Sequence, residues 1–174
     1  MLLTIQPTRS VTMRLIKVAL FGCALLTGPA WATALSHGEA TALASKVVEL
    51  ATRQGYNVSA TVLDVERNAL ATVRSEQAGP YTPRASFKKA YTALVVRQPT
   101  QLFIRDTLQK QPEDLEKFIV ANIRDSDHLI FLPGGVPIVK DGRTLGAIGV
   151  GGAPGGHLDD ALAKHVLTDM GFTY

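Results

Sequence analysis

Residues 134–150 read Gly-Gly-Val-Pro-Ile-Val-Lys-Asp-Gly-Arg-Thr-Leu-Gly-Ala-Ile-Gly-Val, with apolar runs at Pro137 to Lys140 and Thr144 to Val150 on either side of Asp141-Gly142-Arg143. Asp-Gly adopts the left-handed backbone that a tight connection between strands needs, so the stretch predicts a β-hairpin. A second hairpin is predicted upstream, from β-branched runs at Ser59 to Val65 and Ala69 to Val73. Glu66-Arg67-Asn68 separates them, and Asn68 is the residue expected to take the left-handed turn position. Hairpins make antiparallel pairs, which places both in one antiparallel sheet.

Helices fill the intervals. Ser36-His37-Gly38-Glu39 is a Ser-x-x-Glu capping box, and apolar residues recur from Ala40 through Leu43, Ala44, Val47 and Ala51 at helical spacing until Gly55. Thr82-Pro83 predicts a cap and a first-turn proline for a helix over Pro83 to Arg97, which Gln98-Pro99 breaks. Thr100 to Gln109 and Pro112 to Phe118 predict two further short helices, and Leu158 to Met170 a last one ended by Gly171. No repeat, linker or low-complexity tract divides the order helix, hairpin, helices, hairpin, helix. The expectation is a single α/β sandwich over residues 33–174, with helices packed on the sheet.

Residues 1–32 read as an address. Arg14 and Lys17 precede an apolar run from Val18 to Leu26, and Ala30-Trp31-Ala32 closes the segment with small residues at cleavage spacing. These are the parts of a secretory signal peptide, so periplasmic or secreted localisation is expected after cleavage near Ala32; Met13 is an alternative start. The run is too short to span a membrane. Cys23, the only cysteine, falls inside this segment, so the mature domain is expected to have no thiol chemistry. A lipoprotein reading with Cys23 as acceptor is the weaker alternative, because Phe21 is bulky for such a site.

The whole chain is 46% hydrophobic and 19% charged, with a formal net charge of +3, and this composition excludes a disordered or disulfide-scaffold protein. Arg9, Arg14 and Lys17 account for that entire excess, and the remainder is balanced. Electrostatics therefore gives no argument for a nucleic-acid partner.

No catalytic constellation stands out. His37, His128, His157 and His165 match no zinc spacing, and no Gly-x-Ser-x-Gly elbow is present. His37 and His165 read as exposed helix residues. His128, between Asp125-Ser126-Asp127 and Leu129-Ile130-Phe131, is either a metal or haem ligand or a polar turn residue. Beside His157, helix capping by Asp159-Asp160 accounts for the segment. The glycines from Gly146 to Gly156 fit neither a dinucleotide fingerprint nor a P-loop, since Pro154 stands where a third glycine is needed. They read first as a close-packed strand end and tight turn, and second as backbone open to a ligand. Arg84, Lys88 and Lys89 make one end of the Pro83 helix basic, ordinarily a solvated face.

Several segments in order resemble the GlcG/HbpS family, whose module is similar to the C-terminal domain of PduO-type proteins. They are Val62-Leu63-Asp64 with Leu70 and Arg74, Lys89-Ala90-Tyr91-Thr92-Ala93 with Pro99-Thr100, Gly134-Gly135-Val136-Pro137-Ile138, and Gly146-Ala147-Ile148-Gly149-Val150. Asn68, Ser75-Glu76 and Gly151 depart from the usual pattern at a glycine, a Met-Asp pair and a serine.

The resemblance implies a profilin-like fold, a mostly antiparallel five-stranded sheet flanked by helices, in a homo-oligomer. It also implies a small-molecule ligand, with haem favoured because some members bind it. Haem needs an apolar slot, an axial donor and cations for its propionates. The slot is expected between the Pro83 helix and the Gly134 to Pro137 loop, with Arg74 and Lys89 as propionate partners and His128 as axial donor to the metal. The alternative is a non-catalytic module for a small carboxylate such as a hydroxy acid, held by Lys89, Thr92 and the Gly134-Gly135 amides. An enzyme, haem-degrading or redox, ranks third.

Overall fold

The computed structural model describes residues 34–124 and 126–174. The signal-peptide reading of residues 1–32 lies outside them. Helix α1 (His37–Arg53) starts from the expected capping box: Glu39 N donates to Ser36 Oγ at 3.2 Å, and Ser36 N donates to Glu39 Oε2 at 3.0 Å. Strands β1 (Ser59–Asp64) and β2 (Ala69–Arg74) form the first hairpin, and β3 (Gly135–Lys140) and β4 (Arg143–Gly151) the second. The sheet order is β2-β1-β4-β3, antiparallel throughout.

Four strands, rather than the expected five, make the sheet among the described residues. Beyond β3, the next pairing is a single bridge in which Thr173 and Val139 exchange both backbone bonds at 2.8 Å. One bridged pair does not make a strand.

Alternation along the strands divides two unlike faces. Ala60, Val62, Val136, Ile138, Ile148 and Val150 point to α1 and to the last helix, α5 (Gly156–Asp169), and form the main core. Ser59, Thr61, Gly135 and Gly149 point the other way, to α2 (Thr82–Val96). That second face carries small side chains at its centre and a separate apolar cluster, in which Leu63 and Ala147 meet Ala90 and Ala93 of α2. A Cβ on Gly149 would lie 2.0 Å from Ser86 O, and one on Gly135 2.0 Å from Lys89 O. Hydroxyl pairs, Ser59 with Thr82 and Thr61 with Ser86, each at 2.7 Å, add to the contact. Close packing is thus the role of these glycines, in line with the first of the two readings.

Local details correct four expectations. Arg67, not Asn68, takes the left-handed position in the first turn, at φ 72°. Asn68 instead donates from its backbone and side-chain nitrogens to the Asp64 carboxylate, at 2.8 and 3.2 Å. Thr82 opens α2 from inside, its hydroxyl 2.8 Å from Gly79 O, because the Ser59 contact draws it into the core; Tyr81 precedes it without a side-chain cap. The helix predicted over Thr100 to Gln109 is α-helical only at α3 (Thr100–Phe103) and widens to a π turn at Ile104–Leu108, closed by Gln109 N to Ile104 O at 2.9 Å. Helix α4 (Glu113–Arg124) runs past the predicted end at Phe118, its first turn carrying Glu113, Asp114 and Glu116, which suit the positive end of the helix dipole.

The second hairpin turns as predicted. Asp141 and Gly142 have φ 51° and 73°, both left-handed, and Lys140 pairs with Arg143.

Candidate functional site

The Lys89 side chain leaves α2 toward the glycine-rich loops and is buried there. Its Nζ donates to Asp159 Oδ2 at 2.6 Å, and Asp159 Oδ1 accepts from Ala153 N at 3.1 Å. Gly134, at φ 114°, passes directly over this pair: a Cβ there would lie 3.1 Å from Lys89 Nζ. Asp160, also buried, meets Lys164 at 2.7 Å, while its Oδ1 has no partner. Burial pushes both carboxyl groups above their ordinary range, against the pull of Lys89 on Asp159 and of Lys164 on Asp160. The aspartates therefore serve the core and the loop; no side chain caps α5, whose N-cap is Gly155.

The slot expected between α2 and the Gly134 to Pro137 loop is closed. Gly135 rests against the Lys89 carbonyl, and its amide donates to Thr100 Oγ1 at 3.0 Å. Lys89, Thr92 and the Gly135 amide, expected to hold a ligand carboxylate, are each engaged internally. Thr92 Oγ1 donates to Lys88 O at 2.8 Å and accepts from Ile130 N at 3.0 Å.

An open cavity lies one side chain further along α2. It measures about 400 Å³ and is walled by Ile104 and Leu108 of the π turn, Val120 and Ile123 of α4, and the extended segment from Leu129 to Leu132. Lys88 and Glu116 are its ionisable residues. The π turn offsets Ile104 and Leu108 from regular helical spacing, an irregularity that recurs at binding sites. Three contacts hold the wall to α2: Lys88 Nζ to Ser126 O at 2.6 Å, Thr92 to Ile130, and the exposed pair Arg84–Asp127 at 3.3 Å. Size and apolar lining fall in the range of small-molecule sites.

His128 adjoins this wall through Leu129. Its exposed ring lies 5.0 Å from Tyr91 and 6.3 Å from Phe87, and Arg67 sits over the other ring of the set at 5.5 Å from Tyr91. Arg74 is exposed on β2, donates to Ala78 O, and borders a separate hollow with Val48 and Thr52. Pro137 lines yet another, beside Arg67 and Arg97. Of the sequence-predicted residues, Lys89, Gly134 and Gly135 meet, Thr92 bonds the wall residue Ile130, His128 precedes the wall residue Leu129 with its ring against Tyr91 and Phe87, and Arg74 and Pro137 stand apart. Sequence reasoning missed Asp159 as the partner of Lys89 and passed over Lys88 as a solvated residue. The Asp159-Asp160 pair beside a glycine-rich loop was the available signal for the first.

His37 and His157 are exposed, and His165 pairs on the surface with Asp169 at 3.2 Å. Among the described residues no three His, Cys, Asp or Glu side chains gather to hold a metal ion. No described helix is long and apolar enough to cross a membrane.

Fold and cavity define a small three-layer α/β sandwich domain with a lateral apolar pocket. The chain belongs to the family described as haem degrading protein HbpS-like, whose profile matches residues 35–168. Protein GlcG of Escherichia coli is 32% identical over 116 residues, 67% of this chain and 80% of GlcG. A double mutant of Streptomyces reticuli HbpS is 31% identical and superposes with a TM-score of 0.68 over 91% of this chain and 99% of that one. A crystal structure of a PduOC–heme complex shares the fold at 21% identity, with a TM-score of 0.67 over 80% of this chain and 97% of that one.

Proposed function

We propose that this chain is an exported haem- or tetrapyrrole-binding protein acting in haem handling or redox sensing, with its ligand in the cavity between α2, the π turn and α4. The observation that carries the reading is that cavity: apolar walls of a size for a flat organic ring, with the Lys88 ammonium at the margin. The family description and the heme of the PduOC complex support the ligand class. Lys88, rather than the buried Lys89, is the cation for a propionate. His128, exposed and adjoining the wall residue Leu129, is the proposed axial donor. Bound haem would supply a redox-active iron. The signal-like segment ending at Ala32 supports export, and the exposed Leu115 and Phe118 of α4 support a homo-oligomer.

Hemin titration tests the reading. The expected result is a saturable shift of the Soret band, weakened by Val120→Trp, which narrows the cavity. Absence of a shift overturns haem binding. A spectrum unchanged in His128→Ala overturns the axial assignment alone.

A further inference from the structure

Arginine is a strained choice wherever the backbone turns left-handed, because its Cβ crowds the following carbonyl; glycine and asparagine are the usual occupants. This chain makes that choice twice. Arg67, in the β1–β2 turn, has φ 72°, and Arg97, which ends α2, has φ 55°. The two are 30 residues apart in sequence yet line the same hollow of about 240 Å³. Val65, Leu94, Pro137 and Thr144 line it with them, so the hollow is mixed in character, polar as well as apolar. Among the described residues neither guanidinium has a carboxylate partner: Arg67 lies over the Tyr91 ring at 5.5 Å, and Arg97 makes no ion pair.

Two arginines without carboxylate partners lining one small hollow of mixed polarity match one ligand chemistry. Each guanidinium fork presents parallel N–H donors that fit a carboxylate or phosphate, and Val65, Leu94 and Pro137 offer apolar contacts to a short carbon chain. The last carbonyls of α2 carry partial negative charge, so a single cation would be partly neutralised there and a second is needed to hold an anion. We propose that this hollow binds a compact organic dianion, one anionic group on each of Arg67 and Arg97. The site is separate from the cavity walled by α4 and requires none of its residues.

The left-handed backbone supplies an unusual test. In Arg67→Gly and Arg97→Gly the guanidinium is lost while the backbone receives its preferred residue, so the fold is preserved. Isothermal titration with succinate, propionate and inorganic phosphate reads the site. Succinate is expected to bind saturably, more tightly than the other two, and less tightly as salt rises. Each glycine variant should weaken succinate about tenfold or more, the loss of a charge-assisted contact, with the melting temperature by circular dichroism unchanged or raised. Succinate binding no tighter than propionate, binding of phosphate alone, or affinity unaltered in both variants overturns the proposal.

Discussion

Lys89 Nζ and Asp159 Oδ2 lie 2.6 Å apart with 4% and 3% of their side chains exposed, joining the middle of α2 to the first turn of α5 across the mouth of the glycine loops. Their link closes the place where an anionic ligand was expected. It also ties a helix on one face of the sheet to a helix on the other.

Removing one partner leaves a buried charge alone. Lys89→Met and Asp159→Leu should each destabilise the domain by about 3–5 kcal/mol, whereas the Lys89→Met/Asp159→Leu double variant recovers much of that loss. Urea denaturation of the four proteins measures the coupling. Additive losses would show that the two groups do not act as a pair.

Asp160 gives the pH dependence. Burial raises its carboxyl above the ordinary 3.8, so between 3.8 and the raised value the folded state holds more protons than the unfolded one. Stability contributed by this group therefore falls as pH rises through that window. Asp160→Asn, which cannot ionise, should gain stability relative to the parent between pH 4 and neutrality. Chemical denaturation at stepped pH measures the difference, and a difference constant with pH would contradict it.

Gly149→Ala tests the contact between helix and sheet. The added methyl meets Ser86 O at 2.0 Å and Ala90 N at 2.6 Å, both backbone atoms that no rotamer change can move. The expected loss is about 1–3 kcal/mol at the least. A melting temperature equal to the parent's would show that α2 slides outward freely.

Thr92→Val keeps the shape of the residue but withdraws the acceptor from Ile130 N. The Ile130 amide should exchange with solvent faster, and stability should drop by about 1–3 kcal/mol. Amide exchange followed by NMR measures the first effect, and unchanged protection would mean that Lys88 and Arg84 alone secure the cavity wall.

The sequence held the fold wherever the determinant was local. Ser36 and Glu39 are three residues apart, and Asp141-Gly142 carries its turn within itself. What it concealed was settled between distant residues. Asn68 appears suited to the left-handed position until Asp64 engages it, which shifts that conformation to Arg67. Thr82 reads as a cap only while Ser59, on another element, is ignored. For the candidate site, Lys89 was legible as important but not as buried, because Asp159 lies 70 positions on. The cavity itself arises from a π turn and a lengthened α4, and neither has a strong signature in residue order.

The glycine contacts of the sheet beneath α2 have a consequence for how this domain can diverge. On the side of α1 and α5, one aliphatic residue can stand in for another, with neighbours adjusting to share the volume. Where main chain abuts main chain at Gly135 and Gly149, there is no volume to trade. Evolutionary latitude is therefore lopsided: one half of the molecule can drift, while the half that carries Lys88, Tyr91 and Arg97 is held in a fixed frame.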